Sequence, residues 1–352
     1  MARSPEDLRA SNVISPVLAE AVQQRTFETT DPDPLVRRKQ RADHLAKLRQ
    51  YMPLGGKPIP EVEERDIKVS ARDGYEVPVR VYTPSAAGKG RDSGPLILMF
   101  HEGGFAAGDW SDEEMNCRLF CREFGAVCAN VDYRLAPEAL FPTWIHDSID
   151  VTRHFAANAE SFGADPLKGF IVGGNSAGGN ISAVLAQLSR LGEIEPPLTG
   201  QYLSVPLIFP LELVPEKYKN ELLSPYENLQ DPILKFKGAE RLKDIEDHLK
   251  VDPKSNLFTP LAHPSYPPDA VQPKHPLAPA YMQVAGLDPL RDHALVYDRI
   301  LKEEYRVESK VDLYPGFGHM FWTNWPELKE SHEFVEDTVK GIGWLLKKSG
   351  KV

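Results

Sequence analysis

The 352-residue chain is long enough for one large α/β domain or two average ones, and with 41% hydrophobic residues it can fill a substantial core. Its 41 basic against 51 acidic residues give a net charge of −10, which argues against the basic face that nucleic-acid phosphates require. No run of 18 apolar residues occurs, so no membrane span is expected.

The opening MARSPEDLRA carries charges where a signal peptide needs apolar residues, and KKSGKV at the other end carries no retention or anchor signal. Three cysteines, Cys117, Cys121 and Cys128, are sparse, odd in number and without zinc-ligand spacing. They read as reduced, buried thiols, and the expected location is cytoplasmic.

Along the chain, the first fifty residues look helical and polar. Residues 35–50 place Leu45 and Leu48 at helical spacing among six basic residues, which predicts a docked surface helix. Pro53, Pro58 and Pro60 end it. From Val62 two alternating runs, joined at Asp73-Gly74, predict a hairpin. Residues 85–95 read as a surface loop. Six short apolar runs follow (LILMF, AVCANV, GFIVGG, YLSVPLIF, YMQVAG and KVDLY), separated by helix-compatible stretches at 113–124, 145–159 and 181–191. Unbroken apolar strands alternating with helices predict a mostly parallel sheet covered on both faces. Between Pro210 and Pro279 the rhythm fails. This charged stretch includes a predicted amphipathic helix over 234–250, then eight prolines between Val251 and Ala280, and reads as an inserted cap. The expected division is a helical N-terminal segment at 1–60, an α/β domain at 61–210 and 278–352, and a cap insertion at 211–277.

Gly174-Asn175-Ser176-Ala177-Gly178 follows the apolar Phe170-Ile171-Val172 and precedes a helical run. A G-x-S-x-G between strand and helix holds a serine hydroxyl at a sheet edge and a helix N-terminus, which suits a nucleophile. Such a serine needs a base and an orienting acid, and this strand–turn–helix arrangement puts them later in the order acid, histidine. Asp288 follows the strand YMQVAGL, and His319 follows KVDLY; both fall just past strand ends, where parallel sheets carry their sites. Asp292 reads instead as a cap or ion-pair residue and His293 as its neighbour on the same helix. His263 and His275 lie in the Pro-rich segment, and His332 reads as a solvated helical residue. Attack on a carbonyl also needs preorganised N–H donors for the developing oxyanion. The loop His101-Glu102-Gly103-Gly104 after the third strand and the residue after the serine, Ala177, are placed to supply them. Phe105, Trp110 and Phe321 flank these motifs and suit either a pocket wall or the core.

With HEGG at 101–104, DYRLAPE at 132–138, GNSAGG at 174–179, DPLRD and GFGH in that order, the chain resembles the hormone-sensitive-lipase-like family of α/β-hydrolases from about Val62 onward. The HEGG form is similar to that of fungal members, many of which act on specialised metabolites. The resemblance implies an α/β-hydrolase fold and hydrolysis of a small to medium carboxylic ester through an acyl-enzyme, with no cofactor or metal. It implies nucleophile Ser176, acid Asp288, base His319, oxyanion donors Gly103, Gly104 and Ala177, and support from His101, Tyr133 and Glu138. Two residues depart from the family pattern: Glu102 replaces a glycine, and Asn175 replaces an aspartate. They form a candidate coupled exchange, a carboxylate moved from one loop to the other. The expected partner is a small-molecule ester, with a homodimer left open. A dehydratase, an acyltransferase and a small-molecule receptor are the alternatives on the same fold.

Overall fold

A computed structural model describes residues 4–25, 31–85 and 93–350. The predicted loop over 85–95 falls largely on residues 86–92, outside the described residues. The sheet has eight strands: β1 (Val62–Ser70), β2 (Glu76–Pro84), β3 (Leu96–Phe100), β4 (Val127–Val131), β5 (Phe170–Asn175), β6 (Gly200–Ser204), β7 (Ala280–Ala285) and β8 (Ser309–Tyr314). Their order is β1-β2-β4-β3-β5-β6-β7-β8. β1, β2 and β4 meet antiparallel; every later neighbour is parallel. The hairpin forms around Asp73-Gly74, but its loop is wider than two residues: the Ala71 N–H donates to Tyr75 O at 2.8 Å, and Gly74 takes φ 84°.

Among the described residues, eleven α-helices flank the sheet. α1 (Pro5–Ser11), α2 (Pro16–Gln24) and α3 (Pro34–Leu48) precede it, and the Asp33 carboxylate caps α3 by accepting the Leu35 N–H at 2.8 Å. α4 (Glu114–Phe124), α5 (Thr143–Asn158) and α6 (Ala177–Arg190) alternate with strands. The short α7 (Ser224–Glu227) and α8 (Glu240–Leu249) lie in the insertion; α9 (Arg291–Ile300), α10 (Phe321–Asn324) and α11 (Lys329–Ser349) complete the chain.

Strand alternation divides the core into two layers. Leu96, Leu98 and Phe100 of β3 pack with Trp144 and Ile149 of α5 and Ile181 and Leu185 of α6. The intervening Ile97 and Met99 face Cys117 and Phe120 of α4 and Phe334 and Ile342 of α11. Every residue of β3, β4, β5, β6 and β7 is buried, which is why these strands read as unbroken apolar runs. All three cysteines are buried and free.

Two expected boundaries move. The run YLSVPLIF leaves the sheet after Ser204, because Pro206 cannot donate to the ladder and Val205 turns to φ 39°. The helix expected over 234–250 starts only at Glu240; residues 231–239 are irregular, with Lys235 at φ 48°. The expected first-turn role of Asp292 takes the form of a buried junction. Arg291 donates to Leu8 O (2.7 Å) and to Asp292 Oδ1 (2.7 Å), while Asp292 Oδ2 accepts the N–H groups of Leu223 (2.7 Å) and Ser224 (2.6 Å).

Candidate active site

Five loops converge at the carboxyl edge of the parallel strands. The turn from β5 into α6 is so tight that Ser176 sits at φ 53° and ψ −109°, a strained conformation at the N-cap of α6. The Ser176 N–H donates to Ser204 O at the end of β6 (2.8 Å). The helix can start here because glycines let it touch β3: a Cβ on Gly178 would stand 1.8 Å from Phe100 O, and one on Gly174 2.2 Å.

The Ser176 hydroxyl points at His319, with Oγ 3.0 Å from Nε2. On the other side of the ring, Nδ1 lies 2.7 Å from Asp288 Oδ2. Asp288 is fixed in turn: its Oδ1 accepts the Leu290 N–H (2.7 Å) and its carbonyl accepts the Asn228 amide (2.8 Å). All three side chains are buried. Burial opposes a charged imidazole, but the carboxylates of Asp288, Asp231 and Glu102 outweigh it and hold the His319 pKa above its ordinary 6.5.

The loop after β3 turns at Gly103 (φ 112°) and Gly104 (φ 61°), conformations that favour glycine. A Cβ on Gly103 would strike Ala107 O at 2.1 Å, whereas the Gly104 position is open. Among the described residues, none accepts the backbone N–H of Gly103, Gly104 or Ala177. His101 anchors this loop from below: it is fully buried, stacks on Tyr133 at 4.1 Å, and its carbonyl accepts the Tyr133 hydroxyl at 2.8 Å. Burial pushes its imidazole pKa down, so the ring is held neutral. Glu138 touches the loop only indirectly. It pairs with Arg38 of α3 at 2.8 Å, and Arg38 donates to Ala106 O at 2.9 Å.

A cavity of about 860 Å³ opens onto Ser176, His319, Gly103 and Gly104. Phe105, Leu207 and Leu290 form part of its wall, Arg41, His44 and Leu45 come from α3, and Ile233, Leu234 and Phe236 come from the insertion. Among the described residues, no group of three or more His, Cys, Asp or Glu side chains is arranged to hold a metal ion.

A family model described as alpha/beta hydrolase fold matches residues 97–323. The chain belongs to the α/β-hydrolase family, in its hormone-sensitive-lipase-like branch. The hydrolase is 36% identical over 292 residues to the AB hydrolase superfamily protein B1A11.02 of Schizosaccharomyces pombe, a match covering 82% of each chain. It is 33% identical over 297 residues to a versiconal hemiacetal acetate esterase of Dothistroma septosporum, covering 82% of this chain and 84% of that one. Among solved structures, the crystal structure of vibralactone cyclase aligns with a TM-score of 0.85 at 30% identity, covering 97% of both chains. The hydrolase is an enzyme of the carboxylesterase class.

Of the flanking aromatics, Phe105 lines the cavity of the hydrolase and stacks on Trp144 at 4.6 Å. Phe321 packs in the core against Phe317 and Phe334, and Trp110 lies under the Arg80 guanidinium; neither lines the cavity. Nor do the other histidines weighed as bases. His293 stacks on Phe209 with its pKa pushed down to about 3 by burial, His275 pairs with Glu195, and His263 and His332 are exposed.

The exchange suggested for Glu102 and Asn175 is not a contact between them. Asn175 donates to Glu113 Oε1 at 2.5 Å, and Asn116 holds the other oxygen of that buried carboxyl at 2.8 Å. Glu102 pairs with Arg41, which also binds Asp112 (3.1 Å), itself held by Arg49 (3.0 Å). Arg41 lies 61 residues upstream of Glu102, so nothing local in the sequence announces the pair. Asp231 also escapes the sequence reading. It is buried in the insertion, and its Oδ2 accepts the backbone N–H of His319 at 2.6 Å.

Proposed function

We propose that the hydrolase cleaves a carboxylic ester through an acyl-enzyme on Ser176. His319 removes the hydroxyl proton as Oγ attacks the ester carbonyl, and Asp288 holds the imidazole in the tautomer that leaves Nε2 free to accept it. The N–H groups of Gly103, Gly104 and Ala177 donate to the oxyanion. The alcohol departs with the proton from His319, and water then releases the acid. The observation that carries this reading is the 3.0 Å and 2.7 Å relay from Ser176 through His319 to Asp288, assembled from three separate loops. The glycine φ values and the free N–H groups beside it support the oxyanion assignment.

The segment at 1–60 and the insertion at 211–277 act together as a cap, since residues of both line the cavity above Ser176. A space of about 860 Å³ with mostly apolar walls suits a small to medium acyl group on a bulky alcohol, the size of a specialised metabolite. The relative named as a hemiacetal acetate esterase supports a short acyl chain. The likeness to vibralactone cyclase favours a second reading, in which the acyl-enzyme passes to an alcohol in place of water.

Intact-mass detection of a fluorophosphonate probe tests the nucleophile, and p-nitrophenyl esters of increasing length test turnover. One adduct per chain, lost in Ser176→Ala together with acetate or butyrate turnover, is the expected result. Turnover surviving in Ser176→Ala overturns the mechanism. Labelling without turnover favours a dehydratase or a narrow specialised substrate.

A further inference from the structure

The Asp288 carboxylate explains how the His319 ring is oriented, but the backbone that carries the ring has its own restraint. The loop 315–320 leaves β8 and turns sharply, with Gly316 at φ 75° and Met320 at φ 52°. Its N–H at His319 meets Asp231 Oδ2 at 2.6 Å. The second oxygen of Asp231 accepts the N–H groups of Ile233 (2.8 Å) and Leu234 (2.7 Å), closing a turn that aims both side chains at the cavity. The two loops are in close contact: a Cβ on Gly318 would lie 2.6 Å from Asp231 Oδ2 and 2.9 Å from Pro232 Cδ.

We infer that Asp231 is a positioning residue for the reaction, its carboxylate clamping the loop that carries His319 to the cap segment that forms the cavity wall. The inference rests on Ser176 and His319 acting as nucleophile and base. One carboxylate thus fixes the imidazole ring through Nδ1, and a second fixes its backbone. Because the second belongs to the insertion, the wall that meets the substrate and the base that serves it move as one unit. Displacing a catalytic group by about 1 Å can cost on the order of a hundredfold in rate, so the clamp bears on turnover more than on substrate binding.

The charged groups facing His319 are Asp288 from the loop after β7, Asp231 from the insertion and Glu102 from the loop after β3. Burial pushes the Asp231 carboxyl up to about 6, so it is mostly ionised at neutral pH, where it favours the imidazolium. Replacing it by a neutral group lowers the His319 pKa, and the acidic limb of activity moves to lower pH.

The test compares wild-type enzyme with Asp231→Asn, which keeps the shape and removes the charge. Probe labelling at Ser176, thermal melting and the pH dependence of kcat/KM on p-nitrophenyl acetate are measured on both. The expected result is a kcat lower by about tenfold to a hundredfold, with KM within about threefold of wild type and the acidic limb displaced to lower pH. If Asp231→Asn fails to fold, Gly318→Ala separates the two loops while keeping every charge; a similar loss of kcat with the limb unmoved supports the clamp. A folded Asp231→Asn or Gly318→Ala enzyme with wild-type kcat overturns it. So does an Asp231→Asn loss that follows melting temperature and leaves the limb in place. Wild-type enzyme that neither labels at Ser176 nor turns over removes the serine reading and this inference together. Normal wild-type chemistry with an unaffected variant removes this inference alone.

Discussion

Glu102→Gln offers a quantitative check on the electrostatics beside the oxyanion loop. Glu102 is 3% exposed, its Oε1 pairs with Arg41, and its Oε2 is buried without a partner among the described residues. Burial raises its carboxyl from 4.5 to about 7 even though Arg41 pulls the other way. In the unfolded chain the group ionises near 4.5, whereas in the folded protein it keeps its proton to about 7. Between those values the native state binds more protons, so this group's contribution to stability falls as pH rises. At 1.36 kcal/mol per pH unit, the interval corresponds to about 3 kcal/mol. Glutamine has the same shape, can still accept from Arg41 and never ionises. The stability of Glu102→Gln relative to wild type should therefore improve by about 3 kcal/mol between pH 4.5 and pH 8. Urea denaturation of both proteins at half-unit pH steps reads this difference directly, and other groups that titrate alike in both proteins cancel. A difference that stays constant within about 0.5 kcal/mol across that range refutes the reasoning.

Asp288→Asn should leave the fold intact and lower kcat by about 10⁴-fold, the loss that a wrong histidine tautomer causes in a related geometry; activity within tenfold of wild type contradicts the role given to Asp288. The raised pKa of His319 places the acidic half-point of kcat/KM above pH 6.5, because the base works only when neutral, so a profile that is flat from pH 7 down to 5 contradicts it. Gly178→Ala drives a methyl group to within 1.8 Å of Phe100 O and should cost on the order of 3 kcal/mol, read as a lower urea midpoint; an unchanged midpoint shows that α6 can shift away from β3.

The parallel sheet is legible in the sequence because strands buried on both faces are apolar at most positions, with single polar residues such as Asn130 and Gln283 among them. Ser176, Asp288 and His319 are legible as candidates because each lies just past the end of a parallel strand, where the topology leaves little freedom of placement. Residues 231–239 gave no such signal. They follow neither a 2-residue nor a 3.6-residue period: the Asp231 carboxylate turns the chain at Ile233 and Leu234, and α8 begins only at Glu240. In the sequence Arg41 is one of six basic residues on an expected docked surface helix. Its importance comes from two buried carboxylates brought to it by the fold, at 102 and 112. The carboxyl beside Asn175 is Glu113, at the start of α4 and distant from it in sequence. Trp110 and Phe321 lie close in sequence to the motifs but point into other packing, which proximity along the chain does not reveal.

The Arg291 guanidinium sets an order of assembly. It is 1% exposed, and its acceptors include Leu8 O and the Ser11 hydroxyl as well as Asp292. Leu8 and Ser11 are synthesised some 280 positions before their partner, so α1 cannot make these contacts until Arg291 has been made. Trimming the protein back past Ser11 would take two acceptors from a buried cation and leave it Asp292 and Gly286 O.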